Sequence, residues 1–126
     1  MDLARLFRTR SPPAAQFSPS RVGYAVGDIH GRADLLAELI ALLEERAEAD
    51  RREAGEQVVI FLGDYVDRGP YAAAVIDLLL SGRPEGYERR YLKGNHEEMM
   101  LAFLQAPLEN RAWITQGGAE TLLSYG

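Results

Sequence analysis

Three short runs in this 126-residue chain bring together the residue types that bind metal ions and anions. They are Gly27-Asp28-Ile29-His30-Gly31, Gly63-Asp64-Tyr65-Val66-Asp67-Arg68-Gly69 and Gly94-Asn95-His96-Glu97-Glu98. Asp28 and His30 stand two residues apart, so in an extended segment their side chains share one side and can chelate one ion. Carboxylate oxygen with imidazole nitrogen suits manganese, iron or zinc better than magnesium or calcium. Alone, that pair reads equally well as a surface turn with a helix-capping acid. Asp64 follows directly on an apolar run, a position from which one carboxylate can bridge two ions. Arg68 offers planar, bidentate donors to a phosphate. Asp67-Arg68 as a mere surface ion pair would be worth little, and an apolar run ending in Gly-Asp-x-x-Asp-Arg-Gly is an odd way to build one. Asn95 supplies a neutral carbonyl ligand, while His96 beside it projects differently and suits a proton donor. The competing reading of the third run makes Asn95 a helix N-cap, with Glu97 or Glu98 favoured in the first turn by the helix dipole.

Each run closes a short apolar stretch and precedes a helical one. Val22 to Val26 reads as a buried strand ending at Gly27-Asp28. Asp34 to Ala49 places Leu35, Leu36, Leu39, Ile40, Leu42 and Leu43 on one face of an amphipathic helix, and Gly55 turns the chain out of it. Val58 to Leu62 is a second strand, Tyr71 to Leu80 a helix stopped by Ser81-Gly82-Arg83-Pro84. Glu88 to Leu92 is a third strand, followed by a helix from about Glu97 to Leu104 in which Met99, Met100 and Phe103 face the core. Strand, Gly-polar loop and helix thus recur three times, which predicts an α/β fold with a parallel sheet. Loops leaving the carboxyl ends of such strands line one edge, so the three polar runs should converge there.

In that order, and each after a predicted strand, the three runs resemble the signature of the calcineurin-like metallophosphoesterases. Within them the chain most resembles the phosphoprotein phosphatase family of Ser/Thr phosphatases. The resemblance runs from Val22 to about Leu104. The tail (Trp113-Ile114, Gly117-Gly118, Thr121-Leu122 and Ser124-Tyr125-Gly126) resembles a stretch of bacterial members. It implies two divalent transition metals, manganese first, with iron or zinc as alternatives. Asp28, His30 and Asp64 would bind the first ion; Asp64 would bridge to the second, which Asn95 also binds. Arg68 would grip the phosphate, and His96, held by Asp67, would act as general acid. The implied reaction is hydrolysis of phosphate monoesters, in proteins or small molecules, by a metal-activated water. Dinucleoside-polyphosphate hydrolases carry the same three motifs and form the alternative.

The family's second ion also takes two histidines from later loops, and this chain has two histidines in all, both already assigned. Only the first metal site is therefore expected to be complete, and a catalytically weak metal- or phosphate-binding fragment is a further alternative. By the same resemblance, residues 22-126 are the N-terminal half of a two-sheet sandwich. The absent second sheet would leave an apolar face that invites self-association. Residues 1-21, with three prolines and three serines between Ser11 and Arg21, read as a flexible lead-in.

Composition narrows the rest. The chain is 47% hydrophobic and 26% charged, which is globular rather than disordered. A net charge of −5 gives no basic field for nucleic acid, so an anionic substrate needs a local positive centre such as a metal. The absence of cysteine excludes disulfides, thiolate sites and cysteine nucleophiles. No apolar run is long enough to span a membrane, and Met1 to Arg10 lacks a signal-peptide core. A cytoplasmic location is the expectation.

Overall fold

The computed structural model describes residues 18–126. Most of the expected lead-in, as far as residue 17, and the segment Met1 to Arg10 lie outside the described residues. Three parallel strands, β1 (Arg21–Val26), β2 (Glu56–Phe61) and β3 (Glu88–Tyr91), stand in the order β1-β2-β3. Two helices connect them: α1 (Ala33–Ala54) between β1 and β2, and α2 (Ala72–Leu80) between β2 and β3. Because successive crossovers in one direction share a hand, both helices cover the same sheet face.

The core forms there. Val59 and Phe61 of β2 meet Leu36, Ile40, Leu43 and Ala47 of α1 and Ala72, Val75 and Leu79 of α2. Tyr24 and Val26 of β1 pack on the same cluster, since parallel register sets Tyr24 beside Val59 and Val26 beside Phe61. Phe61 also stacks on Tyr91 of β3 at 5.2 Å. Helix α1 buries a narrower stripe than its leucine content predicts. Leu36, Ile40, Leu43, Ala47 and Asp50 are inside, whereas Leu35 and Leu42 are exposed. Six leucines and isoleucines spread over a wider arc than one sheet can cover, so the flanking pair turns outward.

Asp50 ends that stripe as a buried acid. Its carboxylate accepts hydrogen bonds from Tyr24 Oη at 2.8 Å, Tyr87 Oη at 2.7 Å and Arg46 Nη2 at 3.2 Å. Burial alone would raise its pKa, but these three donors outweigh burial and hold the group below its ordinary value.

Beyond β3, helix α3 (Asn95–Gln105) leads through a kinked turn at Ile114–Gly118 to helix α4 (Ala119–Tyr125). One reading needs correction here. Asn95 is not the N-cap of α3, because Gly94 takes that place and the Glu97 carboxylate receives the Gly94 N–H at 2.9 Å. Met99, Met100 and Phe103, expected to face the core, are half-buried; Met100 touches the main core, and Phe103 packs on Trp113. Among the described residues, no helix is long and apolar enough to cross a membrane.

Candidate active site

The three polar runs meet at the carboxyl edge of the sheet, and glycines make the meeting close enough. A Cβ on Gly31 would lie 2.5 Å from the Gly69 carbonyl oxygen, and one on Gly69 would strike the His30 carbonyl. A Cβ on Gly63 or Gly94 would likewise enter the opposite loop, Gly94 meeting Asp64 itself. Two backbone seams therefore join the first run to the second and the second to the third. Hydrogen bonds run along the first seam, from Ile29 N and His30 N to the Asp64 carbonyl at 3.0 and 2.9 Å, and from Gly31 N to Tyr65 O at 2.9 Å.

This assembly holds several side chains on unusual backbone. Among the described residues, the non-glycine positions with positive φ are His30, Asp64, Asp67 and Arg68, at 43°, 54°, 72° and 69°. All four are residues that the sequence marks for chemistry. A left-handed L-residue costs roughly 1–2 kcal/mol, so such strain persists only where the surroundings impose it, commonly at functional sites.

Much of the imposition comes from Glu97. Its carboxylate, 8% exposed, accepts N–H groups from Asp64 and Tyr65, both at 2.7 Å, from Val66 at 3.2 Å and from Gly94 at 2.9 Å. One acid in the first turn of α3 thus fixes the backbone of the second run as well as capping its own helix. Sequence reading gave Glu97 only a favoured place in the first turn of a helix, because its reach to Tyr65 leaves no signal along the chain. Tyr65 adds a second brace, donating its hydroxyl to the carbonyls of Leu92 at 2.6 Å and Phe61 at 3.2 Å. Burial pushes this phenol up to about 12.

Within this frame the ligand-capable atoms of His30, Asp64 and His96 lie within 4.8 Å of one another. His30 Nδ1 sits 2.9 Å from the Val66 carbonyl, to which it must donate, so in the neutral ring the lone pair is on Nε2. That Nε2 is buried and has no hydrogen-bond partner. Orphaned buried acceptors are rare and call for an explanation, and a metal ion is the one that fits an imidazole facing carboxylates. Asp28 lies outside the compact trio and is largely exposed, with Oδ2 at 3.8 Å from His30 Nε2. Asn95 stands exposed in the first turn of α3.

His96 is 4% exposed and meets His30 edge to face at 4.7 Å between ring centroids. Its Nδ1 lies 2.8 Å from Asp67 Oδ2 and its Nε2 3.2 Å from Arg68 Nη2. Asp64 Oδ1 accepts the His96 backbone N–H at 3.1 Å. Asp67, wholly buried, takes two further donors that sequence reading did not assign: Trp113 Nε1 at 2.6 Å and Thr121 Oγ1 at 2.8 Å. Trp113 is the one tryptophan of the chain, and a buried indole N–H needs an acceptor, which was the available signal.

The model of the calcineurin-like phosphoesterase family matches residues 24–124. Over 77 residues the chain is 40% identical to the serine/threonine-protein phosphatase PP2A-like PPG1 of Candida albicans, covering 60% of this chain and 17% of that protein. It is 28% identical over 95 residues to serine/threonine-protein phosphatase 1 of Salmonella typhimurium, covering 75% of this chain and 38% of the relative. A putative serine/threonine-protein phosphatase of Caenorhabditis elegans is 37% identical over 73 residues, 57% of this chain and 18% of the relative. The chain therefore spans well under half the length of these curated relatives.

Proposed function

The chain belongs to the calcineurin-like phosphoesterase family, and we propose that it binds the metal and phosphate of a phosphomonoesterase acting on phosphoserine or phosphothreonine. The observation that carries this reading is the orphaned, buried Nε2 of His30, aimed at a cluster of carboxylates and a second imidazole. The names of the relatives favour a phosphoprotein substrate over a dinucleotide.

The family is metal-dependent, and His30, Asp64 and Asp28, with Asn95 for a second ion, would hold the metal, manganese by preference. Bound there, it would supply positive charge to the phosphoryl group and lower the pKa of an attacking water. The remaining work falls to the chain's own residues. Arg68, resting against His96 Nε2, turns its guanidinium to the entering phosphate and grips two oxygens. That frees His96 Nε2 to carry a proton to the leaving oxygen, worth about 10²- to 10⁴-fold in rate. Asp67 holds the ring through Nδ1.

The test is turnover of a phosphopeptide, p-nitrophenyl phosphate and diadenosine tetraphosphate by the purified chain in Mn²⁺, with Asp64→Asn as control. Hydrolysis of the two monoesters above that control is expected. Preference for the dinucleotide, or turnover equal to the control, would overturn the proposal.

A further inference from the structure

The segment from Trp113 to Thr121 belongs to none of the three metal-and-phosphate runs, yet it closes around Asp67 and Arg68. Trp113 Nε1 donates to Asp67 Oδ2 at 2.6 Å, the same oxygen that receives His96 Nδ1. Thr121 Oγ1 accepts the Asp67 N–H at 2.8 Å and donates to Asp67 Oδ1 at 2.8 Å, so one hydroxyl grips both backbone and carboxylate. The Gly117 carbonyl accepts the Arg68 N–H at 3.1 Å, and a Cβ on Gly117 would come within 2.7 Å of Arg68 N. Trp113 in turn lies against Gly118, where any Cβ would enter the indole, and against Phe103 of α3 at 4.9 Å. Helix α3 is the element that carries His96 in its first turn.

The geometry points to Trp113 and Thr121 as positioning residues for the Asp67–His96 pair. Asp67 has left-handed φ and a fully buried carboxylate; without fixed donors on both oxygens it would be free to rotate away from His96. The two extra donors hold the carboxylate plane, and the carboxylate then holds the imidazole with Nε2 toward the site. Buried Trp and Thr in a packing role alone would need some acceptor, not this residue on both oxygens. The inference rests on His96 acting as proton donor in phosphoester hydrolysis, and its test separates the two.

Trp113→Phe keeps the ring and removes the N–H; Thr121→Val keeps the shape and removes the hydroxyl; Thr121→Ser restores it. Turnover is compared on phenyl phosphate, whose leaving group needs a proton, and 2,4-dinitrophenyl phosphate, whose leaving group does not. Trp113→Phe and Thr121→Val should each lose about tenfold on phenyl phosphate, a fraction of the general-acid effect, with little change on the dinitrophenyl ester. Thr121→Ser should stay near wild type. Equal losses on both esters, with Ser no better than Val, would overturn the inference.

A second readout needs no turnover. In the metal-free chain, ¹⁵N shifts of His96 should report the Nδ1–H tautomer in the wild type and a mixture in Trp113→Phe. Unchanged shifts in that variant would also overturn the inference. Failure of every form of the chain to hydrolyse either ester would instead count against the phosphoesterase reading and leave the ¹⁵N result to decide the positioning role.

Discussion

His30 donates its Nδ1–H to the Val66 carbonyl at 2.9 Å, and this one bond decides which nitrogen faces the site. It leaves Nε2 as a bare, buried lone pair 3.8 Å from Asp28 Oδ2. Replacing His30 by Gln removes the imidazole ligand while keeping a polar side chain. Calorimetric titration with Mn²⁺ should show affinity falling by 10-fold or more, roughly the scale of losses seen when metal-site partners are changed. Unaltered affinity would place the ion elsewhere.

Glu97→Gln tests the brace. The carboxylate accepts four backbone N–H groups through two oxygens, and the amide offers one acceptor oxygen and no charge. Hydrogen bonds to charged groups are worth about 1.5–3 kcal/mol each, and buried donors left bare add to the loss. Urea denaturation should show destabilisation of about 3 kcal/mol. Mn²⁺ affinity should fall with it, since Asp64 is one of the residues the brace fixes.

Arg68 is exposed, and among the described residues its guanidinium reaches only His96, so substitutions there should leave stability nearly intact. Arg68→Lys keeps the charge but loses the planar fork. Steady-state kinetics with p-nitrophenyl phosphate should show KM raised about tenfold in Arg68→Lys and further in Arg68→Ala. A change confined to kcat would mean that Arg68 acts on His96 and not on the phosphate.

Tyr65 makes alkaline stability depend on the site's frame. Its phenol ordinarily titrates near 10, and burial raises it to about 12 in the fold. The folded state thus holds this proton more tightly than the unfolded state does. The stabilisation is fully present below pH 10 and is lost as pH rises through about 12. Urea midpoints measured between pH 8 and pH 12 should fall across that window. Tyr65→Phe should reduce the fall but not abolish it, because Tyr87 is also shifted upward by burial and by Asp50.

Periodicity made the parallel sheet, α1, α2 and α3 legible, and strand ends at Gly-Asp and Gly-Asn located the site's edge. Helix α1 ran past its expected end at Ala49, where polar residues continue the turn from Asp50 to Ala54. Helix α4 went unread because Gly117-Gly118 looks like loop; Gly117 does break the helix, at φ 109°, but Ala119 resumes it at once. His30, Asp64, Asp67, Arg68 and His96 could be marked from residue type and spacing. The partners that hold them could not. Glu97 reaches Tyr65 and Thr121 reaches Asp67 across distances in sequence that carry no periodic signal.

The two glycine seams have a consequence for how this site can change over time. With backbone touching backbone at Gly31–Gly69 and Gly63–Gly94, the three loops behave as one solid part. Lengthening any of them, or placing a methyl group in a seam, would shift the polar side chains of all three at once. Small steps at these four glycines are therefore closed off. The open cavity beside Arg68, lined by Thr115, Gln116 and Glu120, lies outside the seams, and its side chains are free of that constraint.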